Sequence, residues 1–543
     1  MSQGGKIELK MERGEKMVKV EVSVPISYTR ESLENELLRL LPIEKSEIFE
    51  LEIVKRQLSV KPEGKAYKMT LAVSFSPERE AGLLKMRKTV FPYEKPKLEI
   101  PEIKISSRPV VVGSGPAGLF CALTLAKAGA CPIVLERGLS VDERKRKVDA
   151  FSRFGILDEE CNIQFGEGGA GTFSDGKLKS GAPDEYKNEV LSEFILAGAP
   201  EEIAYSSGAH LGTDKLVGIV KSIREKIISL GGEFIFGARF IDFKSDSGKI
   251  KSAVYEQNGK RCDIETENII LALGHSANDT FEMLYFKGVK MEARGFGVGM
   301  RIEHRREYID RLCYGENPEK ELGAASYHLV THLKNGRSVY SFCMCPGGTV
   351  VAATSEKSGI VTNGMSEYSR DAENSNSALL VSVTPEDFGS DSPLAGLGFR
   401  RKIEKAAFLA GGGNYSAPAI RLDSFLKGDA PSGFSDVLPS FPCGVTPSRP
   451  ENYLPEYVSE SIKLAMADFD AWLPGFNFPL AALTGAETRS TSPIRITRGE
   501  NFEALGFSGL IPIGEGAGYA GGIVSSARDG VRAAAALIAR LKK

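Results

Sequence analysis

The sequence predicts an α/β protein: a parallel, helix-flanked sheet, interrupted by an inserted mixed α+β domain and preceded by a small β-α-β-β module. Three observations predict it. A strand, a glycine turn, a helix and a second strand follow one another in RPVVVGSGPAGLFCALTLAKAGACPIVLER, residues 108–137. The strand–turn–helix order returns near the C-terminus in GLIPIGEGAGYAGGIVSSARDGVRAAAALIARL. Between them, from 281 to 480, the periodicity is mixed, with short strands and polar loops.

Residues 1–100 read as a separate module. The first sixteen residues are polar and charged, without the apolar core of a secretory signal. KMVKVEVSVPI alternates as a strand, and Thr29 caps the helix RESLENELLRLL. IFELEIVKRQLSV and AYKMTLAVSF are two further strands, with PEGK as their turn. The linker FPYEKPKLEIPEIKISS leads onward.

Val110–Val112 form a buried strand, and Gly113, Gly115 and Gly118 fill G-x-G-x-x-G. The first glycine permits the turn, the second lets backbone approach a pyrophosphate, and the third lets the helix pack on the strand. Pro116 and Ala117 open that helix, whose free N–H groups face the phosphates. The second strand ends at Glu136 and Arg137, expected on the adenosine side. Glu136 lies 23 residues after Gly113, close to the spacing of a ribose-binding acid. This fingerprint marks a dinucleotide site without choosing between FAD and NAD.

Further along, TDKLVGIVKSIREKIISLGGEFIF reads as a capped helix, a Gly-Gly stop and a strand. IILAL is an apolar strand that leads to Gly274. QFGEGGAGTFSDGK packs five glycines into eleven residues, 166–176, which suits backbone wrapped on a flat ring or a pyrophosphate. Gly168, Gly169 and Thr172 are its candidate contacts. In GEGAGYAGGI, Gly514 and Gly516 allow close approach, while Gly521, Gly522 and Ile523 open a helix. Its N-terminus suits negative charge on a reduced ring.

Taken together, GSGPAGLF, QFGEGGAGTFSDGKL, GFGVGMRIEH, CMCPGG, VTNGMS, LTGAETRSTSPIRI and GEGAGYAGGI resemble a bacterial family of uncharacterised FAD-dependent dehydrogenases. That family sits among flavoproteins of the glutathione-reductase type. The resemblance spans about 105 to 540. It implies non-covalent FAD and a Rossmann-like FAD domain in two parts, 101–280 and 481–543, with a substrate or cap domain at 281–480. It also implies that Gly274 lies near the cofactor and that Glu515 stands where many flavoproteins bond the ribityl chain. VKRQLSVKPEGKAY departs from the basic pattern expected in the family's N-terminal module.

The catalytic candidates come from the matched motifs. Lys177 is a candidate for flavin N5, with a surface lysine as the plain reading. Arg301 and His304 in GMRIEH are candidates for substrate binding and proton transfer. Arg489 and Arg495 in ETRSTSPIRI suit a carboxylate or phosphate clamp, or pairing with Glu487. Arg301, His304 and Arg489 are expected to approach one cavity and hold an anionic substrate. His210 reads as a capping or core histidine. Cys343 and Cys345 share one face of a strand and read as buried or substrate-lining thiols. His328 and His332 are about 13 Å apart on a strand, too far to share a metal, and no metal site is expected.

Net charge is −2, so no global field favours nucleic acid. ERKRK at 143–147 reads as a solvated helix face. No apolar run is long enough for a membrane span. The eight cysteines lack zinc spacing and fit free thiols in the cytoplasm. The expected function is an FAD-dependent oxidoreductase acting on a small molecule. NAD(P)H is expected at most as a transient reductant, because AGGGN at 410–414 lacks a dinucleotide frame. The rivals are an FAD-containing scaffold with an RNA- or partner-binding N-terminal module, and a thiol–disulfide reductase using Cys343 and Cys345.

Overall fold

The computed structural model describes residues 17–61, 64–86, 88–178 and 184–542. The polar segment 1–16 and residues 62 and 63 of the expected PEGK turn lie outside them. The chain forms two compact units: residues to Lys97 together with Ala204–Ala209, and Leu98–Ile203 together with His210–Lys543.

In the first unit, Met17–Val24, Glu50–Lys61, Gly64–Ser74 and Val90–Tyr93 form one antiparallel sheet. Numbered along the chain, the strands lie in the order two, three, one, four. Val18, Val20 and Val22 alternate with polar neighbours and pack in one core with Leu33 and Leu37 of helix Arg30–Leu40. The Thr29 hydroxyl caps that helix by accepting from the Ser32 N–H. Helix Pro77–Leu83 and strand Val90–Tyr93 extend the β-α-β-β order to β-α-β-β-α-β. The helix has only seven residues and the strand contains Pro92, so neither leaves a clear period in the sequence.

The second unit holds a parallel five-stranded sheet in the order Leu510–Pro512, Ile269–Leu271, Val110–Val112, Ile133–Glu136, Glu233–Phe236. Helix Pro116–Lys127 packs tightly on it: a Cβ on Gly118 would lie 1.9 Å from the Gly113 carbonyl oxygen. Helix Ile523–Leu541 crosses the first helix at equally close range. A Cβ on Gly530 would meet the Ala117 carbonyl oxygen at 2.2 Å. Both glycines let backbones approach where no side chain fits.

A seven-stranded sheet fills the middle of the chain. Its order is Val330–His332, Ser338–Cys345, Asn374–Val383, Phe296–Arg305, Ala482–Glu487, Ala417–Arg421, Val445–Pro447. Ala482–Glu487 is an inner strand, with Thr484 opposite Arg301. The sheet therefore runs past 480, the boundary read from the sequence. The apolar strand ALTGAE carries no mark of which sheet it joins. Strand Ser338–Cys345 is bulged: Phe342 faces Ala378 and Cys345 faces Asn376, so three residue steps oppose two. Cys343 adopts φ 43° there, and the two cysteines do not share the face of a regular strand. Among the described residues, no helix is long and apolar enough to cross a membrane.

Candidate functional site

A cavity of about 440 Å³ opens at the carboxyl ends of the parallel strands and extends to the seven-stranded sheet. Gly113, Gly115, Pro116 and Ala117 line one end, with Glu136 and Arg137. Gly169 and Lys177 of the glycine loop, Gly274, Glu515, Gly521, Gly522 and Ile523 continue the wall. Tyr327, His328, Cys343 and Arg489 close it from the inserted domain.

Two helix N-termini reach this cavity. Gly115 caps one and Gly522 the other, and neither receives a side-chain cap. Their first-turn N–H groups are therefore available to an anion. A Cβ on Gly169 would come 2.9 Å from the Gly115 Cα, so the two loops meet without side chains between them.

Several predicted contacts stand behind the wall instead. Gly118, Gly168, Thr172, Gly514 and Gly516 do not line the cavity. Each of these glycines removes a side chain that would separate wall elements. A Cβ on Gly168 would lie 2.1 Å from Thr172 Oγ1, one on Gly514 2.6 Å from Ala117 Cβ, and one on Gly516 2.4 Å from the Gly274 carbonyl.

Glu136 lines the cavity, but its carboxylate is already occupied. One oxygen accepts from the Ser114 N–H and hydroxyl at 2.9 and 2.7 Å. The other accepts from the Gly138 and Gly166 N–H groups at 2.9 and 3.0 Å. The residue expected to hold a ribose therefore ties three turns together. Arg137 is held flat beside it by Asp279 at 3.0 and 3.1 Å and Glu160 at 2.8 Å. Its guanidinium lies 4.1 Å from the Phe165 ring centroid.

Glu143, Lys145, Arg146 and Lys147 of ERKRK form the exposed helix face that the sequence predicts, and Arg144 is the exception. It is fully buried and donates to the carbonyls of Asn162, Ile163, Gly166, Glu167 and Gly169, at 2.7 to 3.3 Å. Burial pulls the guanidinium down to about 10. This one side chain shapes the glycine loop, and charge counting alone does not reveal it.

His275, directly after Gly274, is another lining residue that the sequence left unmarked. Its Nδ1 is 3.0 Å from Ser276 Oγ, which donates to Gln164 Oε1 at 3.1 Å. The serine proton is thus committed to the glutamine, so Nδ1 carries the ring proton and Nε2 is a bare acceptor. Burial, with the charges of Arg400 and Arg489, pushes the imidazole down to about 3. The ring is neutral at ordinary pH. Glu515 faces the same cavity, and burial, with the nearby Cys343 charge, pushes its carboxyl up to about 8.

The catalytic candidates divide. Lys177 lines the cavity and donates to the Met344 carbonyl. Arg489 also lines it, but both Glu404 oxygens bind its guanidinium at 2.9 and 2.8 Å. Arg301 lies behind the wall. Glu487 binds it at 2.7 Å through each oxygen, and it also donates to the Cys343 carbonyl at 3.1 Å. His304 is in the apolar core, with Nε2 2.9 Å from the Phe476 carbonyl and the ring stacked on Tyr308. Burial pushes it down to about 4. Residues three apart on a strand point to opposite faces, so Arg301 and His304 part company. The expected meeting of Arg301, His304 and Arg489 in one cavity does not occur. Arg495 lies over Tyr519, outside the cavity. His210 stacks on Tyr368, with Nε2 3.0 Å from that residue's carbonyl.

Cys343 is half-buried and lines the cavity. The hydrogen-bonded Cys345 thiol pulls it down to about 7 against the effect of burial, with help from Arg301 and Lys177.

This geometry suits a ligand with a central diphosphate and a flat ring. Residues 295–490 match the family model described as "FAD-dependent protein, C-terminal domain-like". That span contains all seven strands of the large sheet. Among solved structures, the chain is similar to a flavin-dependent brominase variant at 14% identity and a TM-score of 0.36, covering 80% of this chain and 81% of that one. It is also similar to a geranylgeranyl bacteriochlorophyll reductase-like protein of Thermoplasma acidophilum at 10% identity and a TM-score of 0.35, covering 79% and 77%. A protein of Clostridium beijerinckii, described as uncharacterized, is 45% identical over 514 residues, covering 93% of this chain and 95% of its own. Residues 295–490 thus resemble the C-terminal domain of FAD-dependent proteins, and the whole chain belongs to the family of that clostridial protein.

Proposed function

We propose that the chain is an FAD-dependent oxidoreductase of the dehydrogenase type, acting on a small molecule in the cytoplasm. The observation that carries this reading is the continuity of one cavity. It runs from the glycine turn at Gly115 to the wall of the inserted domain at Tyr327 and Cys343. The lining residues fit FAD. The uncapped N-terminus at Gly115–Ala117 would hold the diphosphate, and Arg137 the adenosine side. The N-terminus at Gly521–Ile523 would face a ring that gains negative charge on reduction. Glu515 would bond a ribityl hydroxyl. When bound, FAD supplies two-electron hydride chemistry.

The chain's own residues then orient and exclude. Neutral His275 offers Nε2 to an N–H or O–H donor. Of the candidate cations Lys177, Arg301 and Arg489, the two arginines are paired with Glu487 and Glu404, so Lys177 is the one proposed to meet an anionic substrate. NAD(P)H enters this proposal only as a transient reductant.

The experiment is an anaerobic flavin titration. The purified protein is expected to carry one FAD per chain and to bleach with a nicotinamide or a candidate substrate. Absence of flavin absorbance, with no gain on adding FAD, overturns the cofactor assignment. Bound FAD that no nicotinamide or substrate bleaches favours the scaffold reading.

A further inference from the structure

We propose that Asn363, set in place by Arg301, is a substrate-binding donor, and that the substrate it receives carries a carboxylate. This rests on the FAD reading above and names the substrate class of that same cavity. Arg301 has five N–H groups, and all five are spent. Its Nε and one Nη2 proton go to the Glu487 carboxylate, both at 2.7 Å. Nη1 donates to the Cys343 carbonyl at 3.1 Å and to Asn376 Oδ1 at 2.8 Å. The remaining Nη2 proton goes to Asn363 Oδ1 at 3.1 Å. A guanidinium held at every donor has one position. Gly364 makes room for it, since a Cβ there would lie 2.4 Å from Arg301 Nη1.

The Asn363 amide is oriented by what meets its oxygen. Oδ1 accepts from Arg301 and from the Gly364 N–H at 2.8 Å. Turned over, the amide would set its NH₂ group against two donors, neither of which can accept. Nδ2 therefore points away from Arg301. Asn363 lines the cavity, and among the described residues no group accepts from its Nδ2. The Nδ2 of Asn376 is sealed in the core without a partner, whereas that of Asn363 is not sealed.

Acceptors of three other lining residues are taken by the protein itself. The Asp175 carboxylate binds Arg370 at 2.9 and 2.5 Å. The Cys343 carbonyl accepts from Arg301, and the Met344 carbonyl accepts from Lys177. Arg301 and Lys177 thus grip consecutive residues, which brings the Lys177 ammonium to the same part of the wall as Asn363. Lys177 keeps two further N–H groups and its charge. Glu515 is pushed up to about 8 by burial with the Cys343 charge, so it is protonated at neutral pH and adds no repelling charge. The bare acceptor, His275 Nε2, comes from the parallel-sheet side. An amide NH₂ and an ammonium side by side suit the oxygens of a carboxylate. Lys177 belongs to the glycine loop, and a Cβ on Gly171 of that loop would lie 3.0 Å from Ile523 Cγ1. The carboxylate subsite therefore adjoins the helix N-terminus proposed to face the flavin ring.

The test titrates benzoate, and benzylamine as its cationic counterpart, into the purified full-length protein loaded with FAD at neutral pH. The visible flavin bands are the readout. Benzoate is expected to shift them saturably, and benzylamine to leave them unchanged. Asn363→Ala removes one hydrogen bond to a charged acceptor and is expected to raise the benzoate dissociation constant about tenfold, with FAD per chain unchanged. Asn363→Asp turns an acceptor toward the cavity and is expected to admit benzylamine in place of benzoate, a reversal that loosened structure alone does not produce. Arg301→Lys has too few donors to hold Asn363 Oδ1 and is expected to weaken benzoate about threefold. FAD-loaded wild type that ignores benzoate or takes benzylamine equally well, or a benzoate constant unmoved in Asn363→Ala, overturns the inference and leaves the FAD reading standing. Loss of FAD from Asn363→Ala also overturns it, by assigning the amide to the cofactor. Wild-type protein that takes up no FAD overturns both.

Discussion

His304 shows how one residue step along a strand decides a role. Beside Arg301 and Glu303 it has the composition of a proton-transfer site. The strand turns it to the other face, against Phe476 and Tyr308. There it is fully buried, its Nδ1 has no partner, and it titrates near 4 instead of its ordinary 6.5. Below pH 6.5 the unfolded chain binds a proton that the folded protein refuses. Stability linked to His304 is therefore present at neutral pH and is lost as pH falls from about 6.5 toward 4. Between pH 7 and pH 5 the loss amounts to about 2 kcal/mol. His304→Leu is expected to be less sensitive to that change by this amount, in urea unfolding followed at both pH values. A pH response equal to that of the wild type would mean that His304 is protonated in the folded state and reaches solvent. The sequence locates this histidine on a strand. It cannot show which face is inward, because nine of the ten residues in FGVGMRIEHR are buried and no polar alternation remains to be read.

Among the elements, the turns around Glu136 depend on one another. The strand–turn–helix–strand unit was legible because each part is local: three valines, three glycines at fixed spacing, then IVLE. The function of the acid at its end was not, since Gly166 is 30 residues away and binds only once the glycine loop has folded back. Arg144 holds that loop from the opposite side, through five carbonyls spread over eight residues. For the same reason, Glu404 gave no sign in the sequence that it neutralises Arg489, 85 residues later. Local glycine chemistry survives in sequence, whereas the partner of a buried charge does not. Glu136→Gln keeps the size but faces four donors with one acceptor and an NH₂ group. Losing about two hydrogen bonds to a charged acceptor is expected to cost about 3 kcal/mol, less any compensating rearrangement. Urea unfolding is expected to show this loss, together with less FAD per chain. Weakened FAD retention at unchanged stability would instead support the ribose role read from the spacing.

At the scale of the molecule, the two compact units have separate cores. The core of the first unit draws only on residues from Val18 to Val90, with partly buried neighbours from the same stretch. Its four strands and two helices use their own side chains to bury one sheet face. Every residue lining the cavity lies between Val112 and Ser526, and none falls in Ala204–Ala209. The insertion and the C-terminal return are different in kind. The cavity needs both, because Tyr327 and Cys343 come from one and Glu515 and Gly522 from the other. A chain lacking residues 1–97 is therefore expected to retain FAD at close to one per chain. Its unfolding midpoint is expected to change less than that of a chain cut at 295, which loses strands of both large sheets. The residues most exposed to loosening are Ala204–Ala209, which belong to the first unit and pair with its strand Glu50–Lys61 through Tyr205 and Arg56. Limited proteolysis is expected to cut there first in the shortened chain. Absorbance near the flavin bands, divided by protein concentration after gel filtration, measures the outcome. Loss of FAD from a shortened chain that remains folded by circular dichroism would show that the first unit holds the cofactor site in shape.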